Sequence, residues 1–199
     1  MSDGTPDPHL SSHLSHGLQE WAVCCQALGE GRITLVVRKG GIHERGGGLF
    51  SLEQQRFALM PTWLHQDATR VLPAYAALIA TAAGDPQPGA IAIGLWAEAS
   101  RIWKATALAR VQALGGELLW NADELARRFA YRDQPWVYVV ALRIHRLPAP
   151  VVIADHPSYA GCRSWIPFKE TVPTAGSLPV LDDGAHAARL ARIERILAG

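Results

Sequence analysis

The sequence has few cysteines and lacks the CxxC and HExxH spacings of many metal sites. It contains three cysteines in 199 residues, and two of them, Cys24 and Cys25, are adjacent, which makes a bridge between them difficult. A small, odd number of thiols predicts reduced cysteines rather than a disulfide framework. No CxxC or HExxH spacing occurs, so we predict no metal site and no cofactor.

Features of secreted and membrane proteins are also missing. The N-terminal segment MSDGTPDPHLSSHLSH has neither the basic region nor the apolar core of a secretion signal. No uninterrupted apolar run approaches the roughly 20 residues that a membrane helix needs. We therefore expect a cytoplasmic protein with no membrane partner. Residues 1–16 offer little apolar surface to bury, which predicts a flexible lead-in before a single domain over residues 17–199.

The chain has no strong net charge. Nineteen Lys and Arg residues face 18 Asp and Glu residues, for a net charge of +1, so long-range attraction to a polyanion is weak unless the charges segregate. Residues 31–70 carry six bases against three acids, and residues 101–147 carry eight against four. The sequence thus excludes the uniformly basic face of a general DNA-binding protein but has two locally basic regions.

Apolar and aromatic residues are plentiful enough for one core. Hydrophobic residues make up 49% of the chain and include seven tryptophans, each able to bury on the order of 200 Å². We expect one α+β domain in which a mixed, mostly antiparallel sheet or small β-barrel is flanked by helices. Trp21, Trp120 and Trp136 are assigned to the core.

Local patterns predict the order of helices and strands. The runs 21–28 and 33–38, separated by Gly29-Glu30-Gly31, favour a β-hairpin, although the first run also fits a helical stripe. Asn121 and Glu124 have the spacing of a capping box at the start of a helix. Further strands are predicted over 57–60, 91–99, 136–147 and 151–154, and helices over 72–83, 105–114, 121–131 and 185–197.

The segment Arg38 to Glu44, RKGGIHE, is the leading candidate for a working surface. Two cations precede two glycines, and glycines let a ligand approach the backbone N–H groups. We therefore predict that Arg38, Lys39, Gly40 and Gly41 contact phosphate. No GxGxxG or GxxxxGK[ST] motif follows, so a nucleotide-phosphate loop is not supported. The alternative is a purely structural strand end with its cations in water.

A pocket for a nucleobase needs aromatic rings for stacking, polar groups for the base edge and cations for the phosphates. Several aromatic and basic residues of this chain are of these types, and core packing is the alternative role for Trp63 and Trp165. The candidate ligand-binding residues are Arg38, Lys39, Gly40, Gly41, His43, Trp63, Gln66, Lys104, Tyr159, Arg163 and Trp165.

Two other functions are open at this point. Glu44 and His65 are candidate catalytic bases of a small hydrolase-like enzyme, in which Lys39 or Arg163 stabilises negative charge, provided that these residues converge. The other alternative is a protein-interaction module that uses an exposed apolar stripe on the last helix. This stripe consists of Leu190, Ile193 and Leu197.

Four segments in order, GRITLVVRKGGIHE, FALMPTWLHQ, YVVALRIHRL and GCRSWIPF, resemble the bacterial family called DUF1802, a domain of unknown function, over roughly residues 18–198. The resemblance implies a self-contained domain and no established activity. Some relatives are associated with restriction-endonuclease-type domains, which implies a link to defence systems and a nuclease-type protein partner.

The order of strands and helices is also similar in outline to the PUA and ASCH-type β-barrels, which hold nucleotides or modified bases. The leading hypothesis is therefore a noncatalytic domain that recognises DNA or RNA, including a modified or flipped base. The sequence does not specify an oligomeric state.

Overall fold

The computed structural model describes residues 12–39, 54–81, 87–161 and 163–198. Its strands form one mixed sheet in the order β2-β5-β4-β3-β1-β6, and β7 pairs with β5. The strands are β1 (His13–Trp21), β2 (Leu35–Arg38), β3 (Arg56–Thr62), β4 (Ala90–Ala105), β5 (Val137–Ala154), β6 (Trp165–Pro173) and β7 (Leu178–Pro179). The α-helices are α1 (Ala22–Gly29), α2 (Pro73–Thr81), α3 (Leu108–Ala113), α4 (Ala122–Phe129) and α5 (Asp183–Ala198).

The sheet is built around its two longest strands. β4 and β5 contain 16 and 18 residues and pair in antiparallel fashion along almost their whole lengths. Among the strands that the structure describes, β1 and β3 form the single parallel pair, and all other pairs are antiparallel. The predicted α+β class, with a mixed and mostly antiparallel sheet and flanking helices, is confirmed.

The predicted hairpin over 21–38 is wrong, and its helical alternative is right. Residues 22–29 form α1, and β2 pairs with β5 rather than with the preceding segment. Six of the eight α1 residues are buried, so the helix is apolar on nearly all sides. A short continuous apolar run fits a buried helix and a buried strand equally well.

The first strand lies partly within the predicted lead-in. β1 begins at His13 and pairs with β6 and β3, so residues 13–16 belong to the sheet, whereas residues 1–11 lie outside the described residues. Two further differences concern strand length. β3 continues through Pro61 to Thr62, and the segment 151–154, predicted as a separate strand, is the end of β5.

The predicted helices α2, α3, α4 and α5 are present. The backbone N–H of Glu124 donates to the Asn121 side chain at 2.9 Å, so the predicted cap at the start of α4 is confirmed. At the start of α5, the N–H of Ala185 donates to the Asp182 carboxylate at 2.8 Å. Within the described residues, no helix is long and apolar enough to cross a membrane.

The tryptophans assigned to the core differ in burial. Trp120 is buried, and half-buried Trp21 packs against its ring edge-on at 4.9 Å. Trp136 is only half-buried, so its assignment to the core is only partly correct. The apolar stripe of the last helix is not an exposed surface, because Ile193 is fully buried and both Leu190 and Leu197 pack against the core.

Candidate nucleic-acid interface

Three of the predicted cations come together at the start of β5. Tyr138 of β5 pairs with Arg38 of β2 on one side and with Lys104 of β4 on the other. Residues directly opposite one another on neighbouring strands share a face of the sheet. The fold thus brings Arg38, Lys39 and Lys104 to one place, although Lys104 is far from the other two in the sequence.

The ring of Trp136 is the centre of this region. The ammonium groups of Lys39 and Lys104 lie 4.3 and 4.5 Å from its centroid, within the range of cation–π attraction. The Tyr138 ring meets the indole edge-on at 5.1 Å. Lys104 is exposed, and so is Arg132, four residues before Trp136, whose guanidinium lies 5.4 Å from the centroid of the Tyr131 ring. We call Lys104, Arg132, Trp136 and Tyr138 the Trp136 surface.

Lys39 is buried beneath this surface rather than exposed on it. Its side chain donates to the carbonyls of Phe129, at 3.3 Å, and of Gln134 and Trp136, and the residue is 4% exposed. Burial lowers the pKa of Lys39, and the nearby charge of Lys104 lowers it further. Lys39 therefore anchors the loop that follows α4 and holds Trp136 in position.

Arg38 also has internal partners. Its guanidinium donates to the carbonyl of Gln19 at 2.6 Å and pairs with the Glu20 carboxylate at 2.9 Å. The two side chains are 15% and 8% exposed. Arg38 therefore links the end of β2 to β1 and does not project into solvent. The predicted phosphate contacts of Arg38 and Lys39 do not fit these placements.

A second buried charge cluster supports the same region from α4. Glu124 accepts from Arg127 and Arg128, each at 2.7 Å, and Arg128 also donates to the Val37 carbonyl at 3.1 Å. Burial raises the pKa of Glu124, but the hydrogen bonds and charges of Arg127 and Arg128 outweigh it and hold that pKa below its ordinary value. The cluster fixes α4 against β2.

The segments TWLHQ and GCRSW both reach the end of β1. The Gln66 side chain accepts from the N–H of Val23 at 2.9 Å, in the first turn of α1. The N–H of Gln19 donates to the Ser164 carbonyl at 2.8 Å. Thr62, the first residue of TWLHQ, pairs with Trp21 of β1, and Arg38 contacts Gln19 and Glu20 of the same strand. All three predicted segments therefore contact β1.

The remaining candidate residues are dispersed. Tyr159 is buried, and its hydroxyl accepts from the N–H of Lys169 at 2.7 Å. Trp165 is buried against Phe57, whereas Trp63 is half-buried. Candidates in the masked stretches lie outside the described residues; these are Gly40, Gly41, His43 and Glu44.

The convergence that a hydrolase requires is not seen in the described ranges. Lys39 is enclosed by carbonyls, His65 is exposed in the turn after β3 with a φ of 61°, and Arg163 is exposed before β6. No contact recorded for those ranges joins the three side chains. No group of three His, Cys, Asp or Glu residues in the described ranges is placed to hold a metal ion.

Comparison with known proteins identifies the family. The protein-family model described as "Domain of unknown function (DUF1802)" matches residues 17–192 of the chain. The chain belongs to the DUF1802 family. No curated protein matches it. Among solved structures, the crystal structure of ASCH from Zymomonas mobilis is similar over 89% of this chain and 93% of that one, with 12% sequence identity and a TM-score of 0.41. A likeness of this degree says nothing about function.

Sequence reasoning identified only Lys104 among the four residues of the Trp136 surface in this DUF1802 domain. Trp136 was assigned to the core, and Tyr138 and Arg132 were not candidates. The signal is present in WVYV, where two aromatic residues alternate with two valines. In a strand this alternation places both rings on one face and both valines on the other. The valines, Val137 and Val139, are buried.

Proposed function

We propose that this DUF1802 domain is a noncatalytic nucleic-acid recognition module that binds DNA or RNA through the Trp136 surface. The observation that carries the proposal is the exposed ammonium of Lys104, 4.5 Å from the centroid of the half-buried Trp136 ring. A nucleic-acid strand alternates anionic phosphates with flat aromatic bases. A ring for stacking next to mobile cations complements both parts of the strand.

The residues of the surface have different roles in this proposal. Lys104 has a long exposed side chain, so it leaves the indole when a base stacks there and pairs with the adjacent phosphate. Arg132 supplies a second exposed cation. Lys39 remains bound to its carbonyls and keeps the ring in place. Because only an unpaired base exposes its face, the preferred ligand is single-stranded or carries a flipped base.

Binding of short fluorescent oligonucleotides at low salt tests the proposal. Plain and methylated single strands of DNA and RNA are titrated, with a duplex for comparison. We expect affinity to fall with salt, and Lys104→Ala to reduce the slope of that dependence by about one phosphate contact. Trp136→Ala removes a stacking partner, which costs about 1–3 kcal/mol of binding. A flat titration with every oligonucleotide would refute the proposal.

Lys169→Ala is the matched control for Lys104→Ala. Both lysines are exposed, but they lie at opposite ends of β5. Lys104 pairs with Tyr138 near the start of that strand. Lys169 is on β6, and its backbone N–H donates to the Tyr159 hydroxyl in the turn that follows the end of β5. Equal loss of binding in both variants would indicate a general charge effect instead of a site. A link to restriction or defence systems, with a nuclease-type partner, stays a prediction from the family resemblance.

A further inference from the structure

A cleft of about 260 Å³ lies where β3 and β4 separate. The two strands pair only through residues 56–58 and 96–98. Beyond this point the two strands diverge, because β3 stays paired with β1 and β4 stays paired with β5. The C-terminal half of α1 closes one side of the gap between them. The cleft is lined by Cys25, Gln26, Gly29, Glu30, Leu59, Pro61, Ala92, Gly94, Leu95 and Arg146.

The backbone of β4 helps to keep this cleft open. Its pairing with β5 shifts register between Ile93 and Leu95, and the residue at the shift is Gly94. A Cβ atom at Gly94 would meet only Pro150, at 4.0 Å, so the wall is not crowded. On the helix side, a Cβ at Gly29 would lie 2.8 Å from Leu95. Glycine at this position lets the helix approach the strand closely.

The floor of the cleft is apolar and uncharged. Leu59 and Leu95 are buried, and so is Cys25. Burial raises the pKa of the Cys25 thiol well above its ordinary value, and the Glu20 charge raises it further. The thiol therefore stays protonated and behaves as a small apolar group rather than as a nucleophile. Such a floor suits the face of an uncharged ring.

Polar side chains line the rim of the cleft. Arg146 donates one N–H to the carbonyl of Gly29, which fixes the guanidinium at the helix end of the cleft. A guanidinium has five N–H donors, so others can serve an acceptor on a ligand. Gln26 donates to Glu30 at 2.8 Å, and Glu30 pairs with Arg32 at 2.7 Å. Because Arg32 balances Glu30, the charge that Arg146 presents is not cancelled at the rim.

We propose that this cleft binds a small planar compound whose carboxylate or ring carbonyl accepts hydrogen bonds from Arg146. The volume is slightly below the roughly 300–1,000 Å³ of ordinary ligand pockets, which suits a one- or two-ring compound of about ten to fifteen non-hydrogen atoms. The ring lies on Leu59 and Leu95, and its acceptor faces the guanidinium fork, which favours planar, bidentate partners.

The site is separate from the Trp136 surface. Ala92 in the cleft and Lys104 on the Trp136 surface are both on β4, twelve residues apart, or roughly 40 Å along an extended strand. The proposal therefore does not depend on nucleic-acid binding. A free ligand in the cleft and an oligonucleotide on the Trp136 surface would contact different residues.

The test uses the full chain and ligand-observed NMR. Uracil and hypoxanthine represent ring carbonyls, benzoate and nicotinate represent carboxylates, and purine and toluene represent planar compounds without either acceptor. We expect at least one ring-carbonyl compound or one carboxylate to bind. Which of these two classes binds shows whether Arg146 recognises a ring carbonyl or a carboxylate. Binding that is equally strong for purine and toluene would overturn the role of Arg146, and no binding by any compound would overturn the site.

Two variants separate a cleft site from binding elsewhere. Arg146→Met removes the donor, and we expect affinity to fall by roughly tenfold or more, as for a lost hydrogen bond to a charged group. Ala92→Trp starts from an exposed residue and fills the cleft without altering the floor. Unchanged binding in Ala92→Trp would overturn the proposal even if Arg146→Met fails to fold. The control, Arg195→Met on the exposed side of α5, should bind like the original protein.

Discussion

The imidazole of His145 stacks on the indole of Trp96, with ring centroids 4.0 Å apart and planes 8° from parallel. On the neighbouring strand, the Arg56 guanidinium lies 4.5 Å from the same indole. Glu98 is within 3.3 Å of Arg56 and 3.9 Å of His145. A histidine in such a position is stacked, largely enclosed and close to charges of both signs.

Acid should destabilise the protein through this histidine. Burial lowers the pKa of His145 from its ordinary 6.5, and Arg143 and Arg56 lower it while Glu98 opposes them. Below pH 6.5 the unfolded chain binds a proton that the folded chain resists, so stability falls as the pH falls toward the folded pKa. Burial lowers the pKa of His186 as well, and it contributes in the same direction.

Urea unfolding between pH 7.5 and 5 measures this effect. His145→Gln should show a shallower loss of stability with acid than the original protein, by at most about 1.4 kcal/mol per pH unit. The matched control is His13→Gln, at an exposed histidine at the start of β1. If the free energy of unfolding falls equally with pH in His145→Gln and in the original protein, the fold does not favour the neutral form of His145.

The carboxylate of Glu124 should be important for stability. Its side chain is 2% exposed and pairs with Arg127 and Arg128. Glu124→Gln leaves the largely buried Arg128 guanidinium without its anion, and removal of one partner from a buried pair costs about 3 kcal/mol. Urea unfolding at pH 7 checks this value. Asp123→Asn, the exposed neighbour in the same first turn, should cost less than about 1 kcal/mol.

Acid should destabilise the protein through Glu124 as it does through His145. The fold favours the charged form of Glu124 but the neutral form of His145. Its folded pKa lies below the ordinary value of 4.5. Its contribution is therefore complete above that value and is lost as the pH falls through the folded pKa. In Glu124→Gln this part of the acid sensitivity should disappear. Retention of the full sensitivity below pH 4.5 would contradict the assignment to Glu124.

The docking of α5 depends on another buried carboxylate. Glu117, whose side chain is 6% exposed, pairs with Arg189 at 3.3 Å and with Arg192 at 3.2 Å. Glu117→Gln should weaken both contacts and leave the apolar packing of Ile193 in place. We expect faster hydrogen exchange in residues 183–198, while the amides of β4 and β5 exchange as before. Unchanged exchange in α5 would show that the apolar contacts suffice.

Elements with strong local signals are the ones that the sequence predicts well. The capping pattern at Asn121 and the long apolar run of β5 agree with the final structure because local preference and tertiary packing favour the same conformation. β1 lacks such a signal. It buries Glu20, which is neutralised by Arg38 from a strand later in the chain. A pattern of apolar and polar residues does not show that a charged residue will be buried with a partner.

The candidate site was predictable in composition but not in the roles of its residues. The sequence identifies Arg38, Lys39 and Lys104 as cations near flexible or aromatic neighbours. It does not show that the acceptors of Lys39 lie 90 to 97 residues later in the chain. Only the fold separates an exposed cation, Lys104, from two that are used internally. The same tertiary contacts leave the Trp136 ring half-buried rather than enclosed in the core.

The two lysines beside Trp136 should respond differently to the same substitution. Lys39→Met removes a buried donor that the carbonyls of Phe129, Gln134 and Trp136 share, although the Gln134 carbonyl keeps the N–H of Trp136. This loss should cost about 1–3 kcal/mol of folding stability and weaken oligonucleotide binding because the ring loses its support. Lys104→Met should weaken oligonucleotide binding alone, since the exposed side chain has no comparable set of internal acceptors among the described residues. Urea unfolding and oligonucleotide titration of both variants measure the two effects. If Lys104→Met destabilises the fold as much as Lys39→Met, then Lys104 is a structural residue, and the Trp136 surface loses the exposed cation on which the proposed function rests.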